Sequence, residues 1–538
     1  MACRQEDVGD GWCRLGRRRP ADDPRVGGGA ATPLRQAELP VRGRGAAARG
    51  DRAQLLRARA QPHRDAQPRR GERGHRGGGA LPGGAGEAGG AGERRAGCPA
   101  GPPGECPAGP VTGWTALLEH ARGCFRAPSF ELFTDLLFGW VCAPGRRTIT
   151  AMIAVADPDG RRAHDAYHRF VRDGAWAMSG LWRVLAVHAI TRLTPTGVVM
   201  LDVDDTLFHK AGRNVEGAGV FRDAVRSTVR RVVYALGLNL VVVTLRVTPP
   251  WGGPPIALPV NARLHRKNDT TSTVEHAAAM LRELAGWLPD REFHLCGDGA
   301  YASLCGAGLP RTHVTSRIRR DAALYQAAPP RTGKRGRPRT KGERLPTPAG
   351  IATNARAADW QQVDAELHGR TVRRLVLVRD VLWYTVNKRD LLRLVIVRDP
   401  DGIEPDDFFI TTDRTATGAQ VASRYAGRWS IEVCFRDVKQ DLGAQDPQTW
   451  KRQGPERAAN LSLWLHALIW CWYLDTHPTG GTWITRPWYP HKNTPSFLDA
   501  LAALRRVLWS QRITALSAPT AEDTKITDVL LDTLAYAA

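Results

Sequence analysis

Runs of apolar residues separated by turn-forming residues predict an α/β core in the middle of the chain. Gly197–Leu201, Leu238–Leu245 and Ile256–Val260 are rich in Val, Leu and Ile and have the length of buried strands. Between Val274 and Leu288 the apolar residues recur at helical spacing, and Phe293–Cys296 then forms another short strand. Three strands, a helix and a further strand therefore follow one another in this core.

Regular patterns continue on both sides of this core. Residues 111–195 carry apolar positions at helical spacing and predict a helical DNA-binding region. Between 371 and 412 the pattern changes to short strands separated by turns, which predicts a small antiparallel sheet. Its strands are Leu375–Val378, Trp383–Val386 and Leu392–Val397, and two closing helices follow at Asn460–Leu474 and Ser496–Leu508.

Residues 1–110 differ in composition from the rest of the chain. They are rich in Arg, Gly, Ala and Pro and nearly free of Ile, Phe and Tyr. Such a segment cannot bury enough apolar surface to offset its loss of conformational entropy, so we expect a disordered arm. Three interpretations stay open: a basic arm that tethers DNA, a tail without a role, or upstream DNA translated in the wrong frame, with the true start near Val111.

The charge balance narrows the class of partner. Lys and Arg number 76 against 54 Asp and Glu, and the net charge of +22 favours a polyanion such as nucleic acid. The 10 cysteines form no CxxC pair and no zinc-ligand cluster, so a reducing cytoplasm is expected. The sequence shows no signal peptide, and its longest apolar run, Leu461–Leu474, is too short to cross a bilayer and contains His466. We expect a cytoplasmic protein with no membrane partner.

Four chemically different side chains stand at defined spacings between residues 425 and 439. No Pro or Gly occurs between Arg428 and Lys439, so a helix is predicted there. At roughly 100° per residue, an arc of about 60° carries a phenol, a guanidinium, a carboxylate and an ammonium group. They belong to Tyr425, Arg428, Glu432 and Lys439. A solvated i,i+4 pair between Arg428 and Glu432 is the alternative without a function.

This spacing resembles the Tyr-Arg-Glu-Lys motif of bacterial insertion-element transposases of the DDE kind, which are DDE superfamily endonucleases. The resemblance covers roughly residues 111–538. It implies an RNase H-like catalytic core. The predicted order of elements, early strands, then a helix, then a strand that ends in Asp, is similar to the order in such a core. It also implies a β-rich insertion before the third catalytic acid, where the second sheet is predicted.

The resemblance further implies three acids that bind Mg²⁺, or Mn²⁺ as a substitute, for phosphodiester cleavage and strand transfer. Asp298, which ends a strand and stands between two glycines, is assigned as the second acid, and Glu432 as the third. Asp202, Asp204 and Asp205 crowd one turn at the first position. The family pattern of an acidic pair followed by Thr favours Asp205 as the catalytic acid. Asp204 is then a metal ligand and the second choice, with Asp202 in support.

By the same resemblance, the basic residues of the motif contact DNA. Arg428 and Lys439 would bind phosphates near the transposon end, and Tyr425 would order that contact. A basic linker at 329–344 adds Arg335 and Arg337 in an Arg-Gly-Arg-Pro core that resembles an AT-hook. A solvated basic loop near the DNA path is the alternative for this linker.

A different enzyme class competes for the same aspartates. Residues 201–207 also resemble the DxDxT motif of haloacid-dehalogenase-type phosphatases, with Asp202 as nucleophile and Asp204 as acid/base. Asp298 and Thr244 have counterparts in that reading, but residues 300–303 lack the further acid that the late metal-binding loop of such enzymes carries. A third class is a DNA-binding relative that has lost catalysis.

The sequence thus predicts a DDE transposase with an α/β fold. It binds terminal inverted repeats and target DNA, cleaves and joins strands, acts as a dimer on DNA, and is cytoplasmic, associated with a bacterial nucleoid. The predicted parts are a disordered arm (1–110), a helical DNA-binding region (111–195), an RNase H-like core in two parts (196–328 and 413–538, the latter with the closing helices), and a basic linker with the β-rich insertion (329–412).

Overall fold

The computed structural model describes residues 110–228, 230–330, 337–516 and 521–537, a mixed α/β structure with 12 helices and 10 strands in those ranges. The arm predicted at 1–110 lies outside the described residues apart from Pro110, as does Arg335 of the basic linker. No helix of the described residues is long and apolar enough to cross a membrane.

The first 85 or so described positions are helical, as the apolar spacing predicts. Thr148 begins the third of these helices by accepting a hydrogen bond from the amide of Ala151 at 3.2 Å, which satisfies a free backbone donor. The helices are α1 (Pro110–Glu119), α2 (Ala127–Cys142), α3 (Ile149–Ala156), α4 (His164–Asp173) and α5 (Met178–Leu193).

A mixed sheet then forms from the predicted strands. Its elements are β1 (Val199–His209), β2 (Gly219–Arg222), β3 (Tyr234–Val247), β4 (Ile256–His265), helix α6 (Thr273–Trp287), β5 (Phe293–Gly297) and β6 (Thr312–Arg317). β3 pairs antiparallel with β1, β2 and β4, whereas β1, β5 and β6 run parallel. Because β1 is hydrogen-bonded to β3 on one side and to β5 on the other, its backbone is held within the sheet.

The antiparallel strands after the linker extend this same sheet. They comprise β7 (Gln361–Leu367), β8 (Arg370–Val381), β9 (Leu392–Arg398) and β10 (Asp407–Thr411), preceded by helix α7 (Pro348–Asn354). β10 pairs antiparallel with β6 and with β9, so that the order across the sheet is β2-β3-β1-β5-β6-β10-β9-β8-β7. The prediction of a strand at Trp383–Val386 is wrong: the amide of Val386 donates back to the carbonyl of Trp383 at 2.9 Å, which closes a turn.

The chain ends in helices, and the motif segment is not one helix. Five helices follow the sheet: α8 (Gly418–Gly427), α9 (Ser430–Gln440), α10 (Gly454–Thr476), α11 (Phe497–Leu516) and α12 (Ala521–Ala535). Tyr425 therefore belongs to α8, while Arg428 lies in a tight turn before α9. The amide of Arg428 donates to the carbonyl of Tyr425 at 3.0 Å, an i→i+3 bond that tightens the chain.

Helix α10 is the centre of the hydrophobic core. It is buried almost throughout its length, and its apolar residues face every direction, as expected of a helix surrounded by protein. It is bonded to α5 at two points: Nε1 of Trp464 in α10 donates to the carbonyl of Leu181 at 3.0 Å, and Oδ1 of Asn460 in α10 accepts from Nε1 of Trp182 at 3.0 Å. One continuous apolar cluster joins α2, α5, α10 and the strands. The predicted boundary at 195/196 thus separates helices from strands, but it does not separate two cores.

Candidate active site

The site is built on strand β1, whose aspartates point in alternate directions. Side chains two residues apart share a face of a strand, so Asp202 and Asp204 face one way and Asp205 the other. The contacts agree: Asp204 meets Arg428 of the α8–α9 turn, whereas Asp205 accepts a long hydrogen bond of 3.4 Å from the hydroxyl of Tyr301.

Arg428 joins Asp204 to Glu432. Its Nη1 lies 2.8 Å from Oδ2 of Asp204, and its Nη2 lies 3.0 Å from Oε1 of Glu432. The Arg428 side chain is 11% exposed, that of Asp204 21% and that of Glu432 35%, so the pair with Asp204 is the better shielded from solvent. Strand β1 and the segment from Arg428 to Glu432, which are distant in sequence, thereby bring two carboxylates together around one cation.

Asp298 directly follows the last residue of β5 and lies close enough to Asp204 and Arg428 for its charge to act on both. Its Oδ1 accepts a hydrogen bond of 2.9 Å from the amide of Ala300, so it caps the 3-10 helix that follows at Gly299–Gly306. The hydroxyl of Ser316 donates to its carbonyl oxygen at 2.7 Å. This double anchoring fixes the loop on which the acid stands, and the charge of Asp298 acts on Asp204, Asp205 and Arg428.

The crowding of carboxylates changes their protonation. Desolvation raises the pKa of Asp204 to about 7, and the charges of Asp298 and Asp205 add to this rise against the effect of Arg428. Solvent reaches Asp205, yet desolvation and the charge of Asp298 raise its pKa also, while a hydrogen bond from Asn239 lowers it. Such a cluster of negative charge fits a divalent cation, because hard cations prefer several carboxylate oxygens.

Asp202 is unlike its neighbours. It is 0% exposed, and Arg246 binds both of its oxygens, one of them through Nε at 3.0 Å. Nη1 of the same arginine donates to the carbonyl of Arg424 at 2.7 Å, which ties β3 to α8. A carboxylate held in this way is closed to a phosphate ester, so the geometry does not support Asp202 as a phosphatase nucleophile. Asp202 has a structural role.

Gly427 makes room for this buried pair. A Cβ atom at this position would lie 2.5 Å from Nη1 of Arg246, well inside van der Waals contact. The lack of a side chain thus allows the guanidinium to reach the end of α8. Sequence reasoning missed Arg246, although an arginine inside the apolar run of β3 is the type of residue that requires a buried partner.

The other two residues of the motif, Tyr425 and Lys439, are half-buried. The ring of Tyr425 packs on Phe409 at 4.6 Å between centroids, and burial raises the pKa of its phenol to about 12. Lys439 places its ammonium 5.8 Å from the centre of the Phe208 ring, and burial lowers its pKa. Arg337, by contrast, is exposed in the linker.

Comparison with known families agrees with this arrangement. Residues 123–387 match the model of a family described as DDE superfamily endonuclease. Residues 123–387 of the chain are therefore similar to the DDE superfamily endonucleases. The matched part contains Asp204, Asp205 and Asp298 and ends before Glu432. No curated protein matches the chain.

The match to this endonuclease family indicates a class of substrate and of cofactor. The family consists of nucleases, so DNA is the implied substrate and a divalent metal ion the implied cofactor. Asp204, Asp298 and Glu432 offer only oxygen donors, which is the set that Mg²⁺ and Mn²⁺ prefer. Within the described residues the structure brings these three acids around Arg428, and places Asp205 on the other face of β1.

Proposed function

We propose that this endonuclease is a transposase that cleaves DNA at the terminal inverted repeats of an insertion element and joins the freed ends to target DNA. The observation that carries the proposal is the pairing of Asp204 and Glu432 with one guanidinium, that of Arg428, beside Asp298. The order β4-β3-β1-β5-β6, antiparallel and then parallel, supports an RNase H-like core for it.

Asp204, Asp298 and Glu432 would hold two Mg²⁺ ions, with Mn²⁺ as a substitute. When bound, such ions activate the attacking oxygen and stabilise the leaving oxygen of a phosphodiester. The first acid in this proposal is Asp204 instead of the Asp205 predicted from sequence. The side chain of Asp204 leaves β1 on the face toward Arg428 and Glu432, whereas that of Asp205 leaves on the other face. Asp205, with Asn239 and Tyr301, would support the loop that carries Asp298.

Arg428, Tyr425 and Lys439 would bind the transposon end. A guanidinium that already spans two carboxylates has its fork directed at the place where the scissile phosphate must lie. The phenol of Tyr425 flanks this guanidinium, with the Arg428 Cζ 5.5 Å from the ring centre. Arg335 and Arg337 of the linker would add minor-groove contacts, and two chains would act together on a pair of ends, as a dimer on DNA.

A cleavage assay tests the proposal. The chain is incubated with Mg²⁺ and a labelled duplex that carries the inverted repeat flanking its gene. We expect Asp204→Asn, Asp298→Asn and Glu432→Gln each to lose roughly a thousandfold or more in cleavage rate, which corresponds to about 4 kcal/mol, while DNA binding is retained.

Asp205→Asn is the matched control and should lose less than about tenfold, since its carboxylate is not on the Arg428 face. A larger loss for Asp205→Asn than for Asp204→Asn would restore Asp205 as the first acid. Uncut DNA with every protein, together with turnover of small phosphate esters that survives Glu432→Gln, would favour the phosphatase.

A further inference from the structure

Two histidines and an aspartate meet where strand β4 passes into helix α6. His265 is the last residue of β4, Asp269 lies in the turn that follows, and His276 is in the first turns of α6. One ligand atom from each lies within 4.8 Å of the other two. None of these three residues, here termed the histidine cluster, is one of the acids around Arg428, although the charge of His265 acts on Asp205.

In each histidine of the cluster, one buried ring nitrogen lacks a hydrogen bond within the described residues. Nδ1 of His265 and Nε2 of His276 are both buried, and neither makes a hydrogen bond. A buried polar nitrogen without a partner costs stability, so most buried nitrogens in folded proteins are paired. Two of them beside one carboxylate form a set of lone pairs that a single cation would satisfy together.

We propose that the histidine cluster binds one divalent transition-metal ion, zinc by preference. Two imidazoles and a carboxylate are ligands that zinc takes readily, with a water molecule as the fourth. Mg²⁺ avoids nitrogen ligands, so the cluster selects a different metal from the carboxylates of the candidate active site.

The distances fit such an ion after small side-chain rotations. Tetrahedral zinc with bonds of about 2.0–2.1 Å places its ligand atoms about 3.3 Å apart. Nε2 of His276 and Oδ2 of Asp269 are already 3.9 Å apart. The amide of Arg266 donates to Oδ2 of Asp269 at 3.0 Å and orients this carboxylate from behind.

The backbone around the cluster is held in place. Ser272 and Glu275 form a reciprocal cap at the start of α6, which fixes the first turns of the helix and hence His276. His265 pairs across the sheet with Asn239 of β3, and the Asn239 side chain binds Asp205. A metal ion here would fasten the outer strand β4 and α6 to each other beside the strands that carry the acids.

Metal titration of the full chain tests this proposal. The protein is stripped with a chelator, and Zn²⁺ is then added in competition with a chromophoric chelator. We expect one tight zinc site, weakened at least about tenfold in Asp269→Asn and more in His265→Gln and His276→Gln. The site should persist in Glu432→Gln, which alters only the acidic site.

His168→Gln is the matched control. His168 also has a buried, unpartnered Nε2 on a helix next to another histidine, His164, but it does not belong to a cluster of three potential metal ligands in the described residues. Zinc affinity should therefore be unchanged in this variant. If the cluster variants fold poorly, Co²⁺ added to the wild type decides, because tetrahedral Co²⁺ with imidazole ligands gives intense visible bands. Absence of a tight zinc site and of these bands, or zinc affinity equal to wild type in folded His265→Gln and His276→Gln, would overturn the proposal.

Discussion

Asp204 and Arg428 are 224 positions apart in the chain, yet Oδ2 of the aspartate lies 2.8 Å from Nη1 of the arginine. The pair joins the central strand to the turn between α8 and α9. It also explains how Glu432, four residues after Arg428, reaches the same point. This pair and the buried pair of Asp202 and Arg246 lead to four expected outcomes.

Asp204 should make the stability of the protein depend on pH. Its pKa of about 7 in the folded chain is higher than the ordinary value of 3.8, so between these values the folded state binds a proton that the unfolded state has lost. The contribution of Asp204 to the free energy of unfolding is therefore largest below its ordinary pKa of 3.8. It falls as the pH rises to about 7, by about 4 kcal/mol at most. Asp204→Asn should flatten this part of the curve, measured by denaturant unfolding from pH 4 to 8 in EDTA. A curve with the wild-type slope would contradict the assignment.

Arg428 should contact a DNA phosphate only when cations hold the acids. Its guanidinium is engaged by Asp204 and Glu432, and divalent ions on those carboxylates would release it. In Ca²⁺, which takes the same oxygen ligands, Arg428→Ala should lower the slope of log K against log salt by about 0.9. In EDTA the two proteins should give the same slope.

Two variants sharpen the salt experiment. Arg428→Lys should not restore full affinity, since an ammonium cannot replace a bidentate fork. Arg436→Ala removes an exposed arginine of α9 that pairs with Asp437, and the difference between its slopes in Ca²⁺ and EDTA should match that of the wild type. Identical slopes for wild type and Arg428→Ala in Ca²⁺ would mean that Arg428 serves only the protein.

Removing the charge of Asp202 should destabilise the fold. Asp202→Asn leaves Arg246 buried without its counter-ion, a change that costs about 3–5 kcal/mol in comparable pairs. Asp202→Asn combined with Arg246→Met should recover part of this loss, because no uncompensated charge remains. Urea unfolding of the three proteins measures it, with the exposed Asp159→Asn as control. Equal stability of Asp202→Asn and wild type would show that the pair does not support the core.

Gly427→Ala should act through the same arginine. The new methyl group would lie 2.5 Å from Nη1 of Arg246, so the guanidinium must move away from the Arg424 carbonyl, at about 1–3 kcal/mol. Gly286→Ala is the matched control, since it adds a methyl group to α6 with nothing within 4 Å. That change should stabilise the protein by about 0.5–1 kcal/mol. Thermal unfolding of both variants compares them, and a stabilised Gly427→Ala would refute the steric argument.

Much of the fold follows from local pattern. Apolar runs gave the strands β1, β3, β4 and β5 and the helix α6 near their observed positions, because a buried strand or helix repeats its apolar residues at its own period. The Tyr425–Lys439 spacing indicated a DDE family, and residues 123–387 match the model of the DDE superfamily endonucleases. The break between α8 and α9 was missed, since Arg428 and Trp429 keep helical angles and only their hydrogen-bond pattern changes.

The sequence alone determined that the chain is basic, and its resemblance to DDE transposases predicted that acids at Asp202–Asp205, Asp298 and Glu432 would form one site. Only the tertiary structure separated the three neighbouring aspartates. It buried Asp202 with Arg246, turned Asp204 toward Arg428 and Glu432, and turned Asp205 toward Tyr301. It also joined the second set of strands to the first sheet and brought His265, Asp269 and His276 together. The physical reason is that the facing of a strand residue, and its partners, depend on which elements pack on each side, and those elements are distant in sequence.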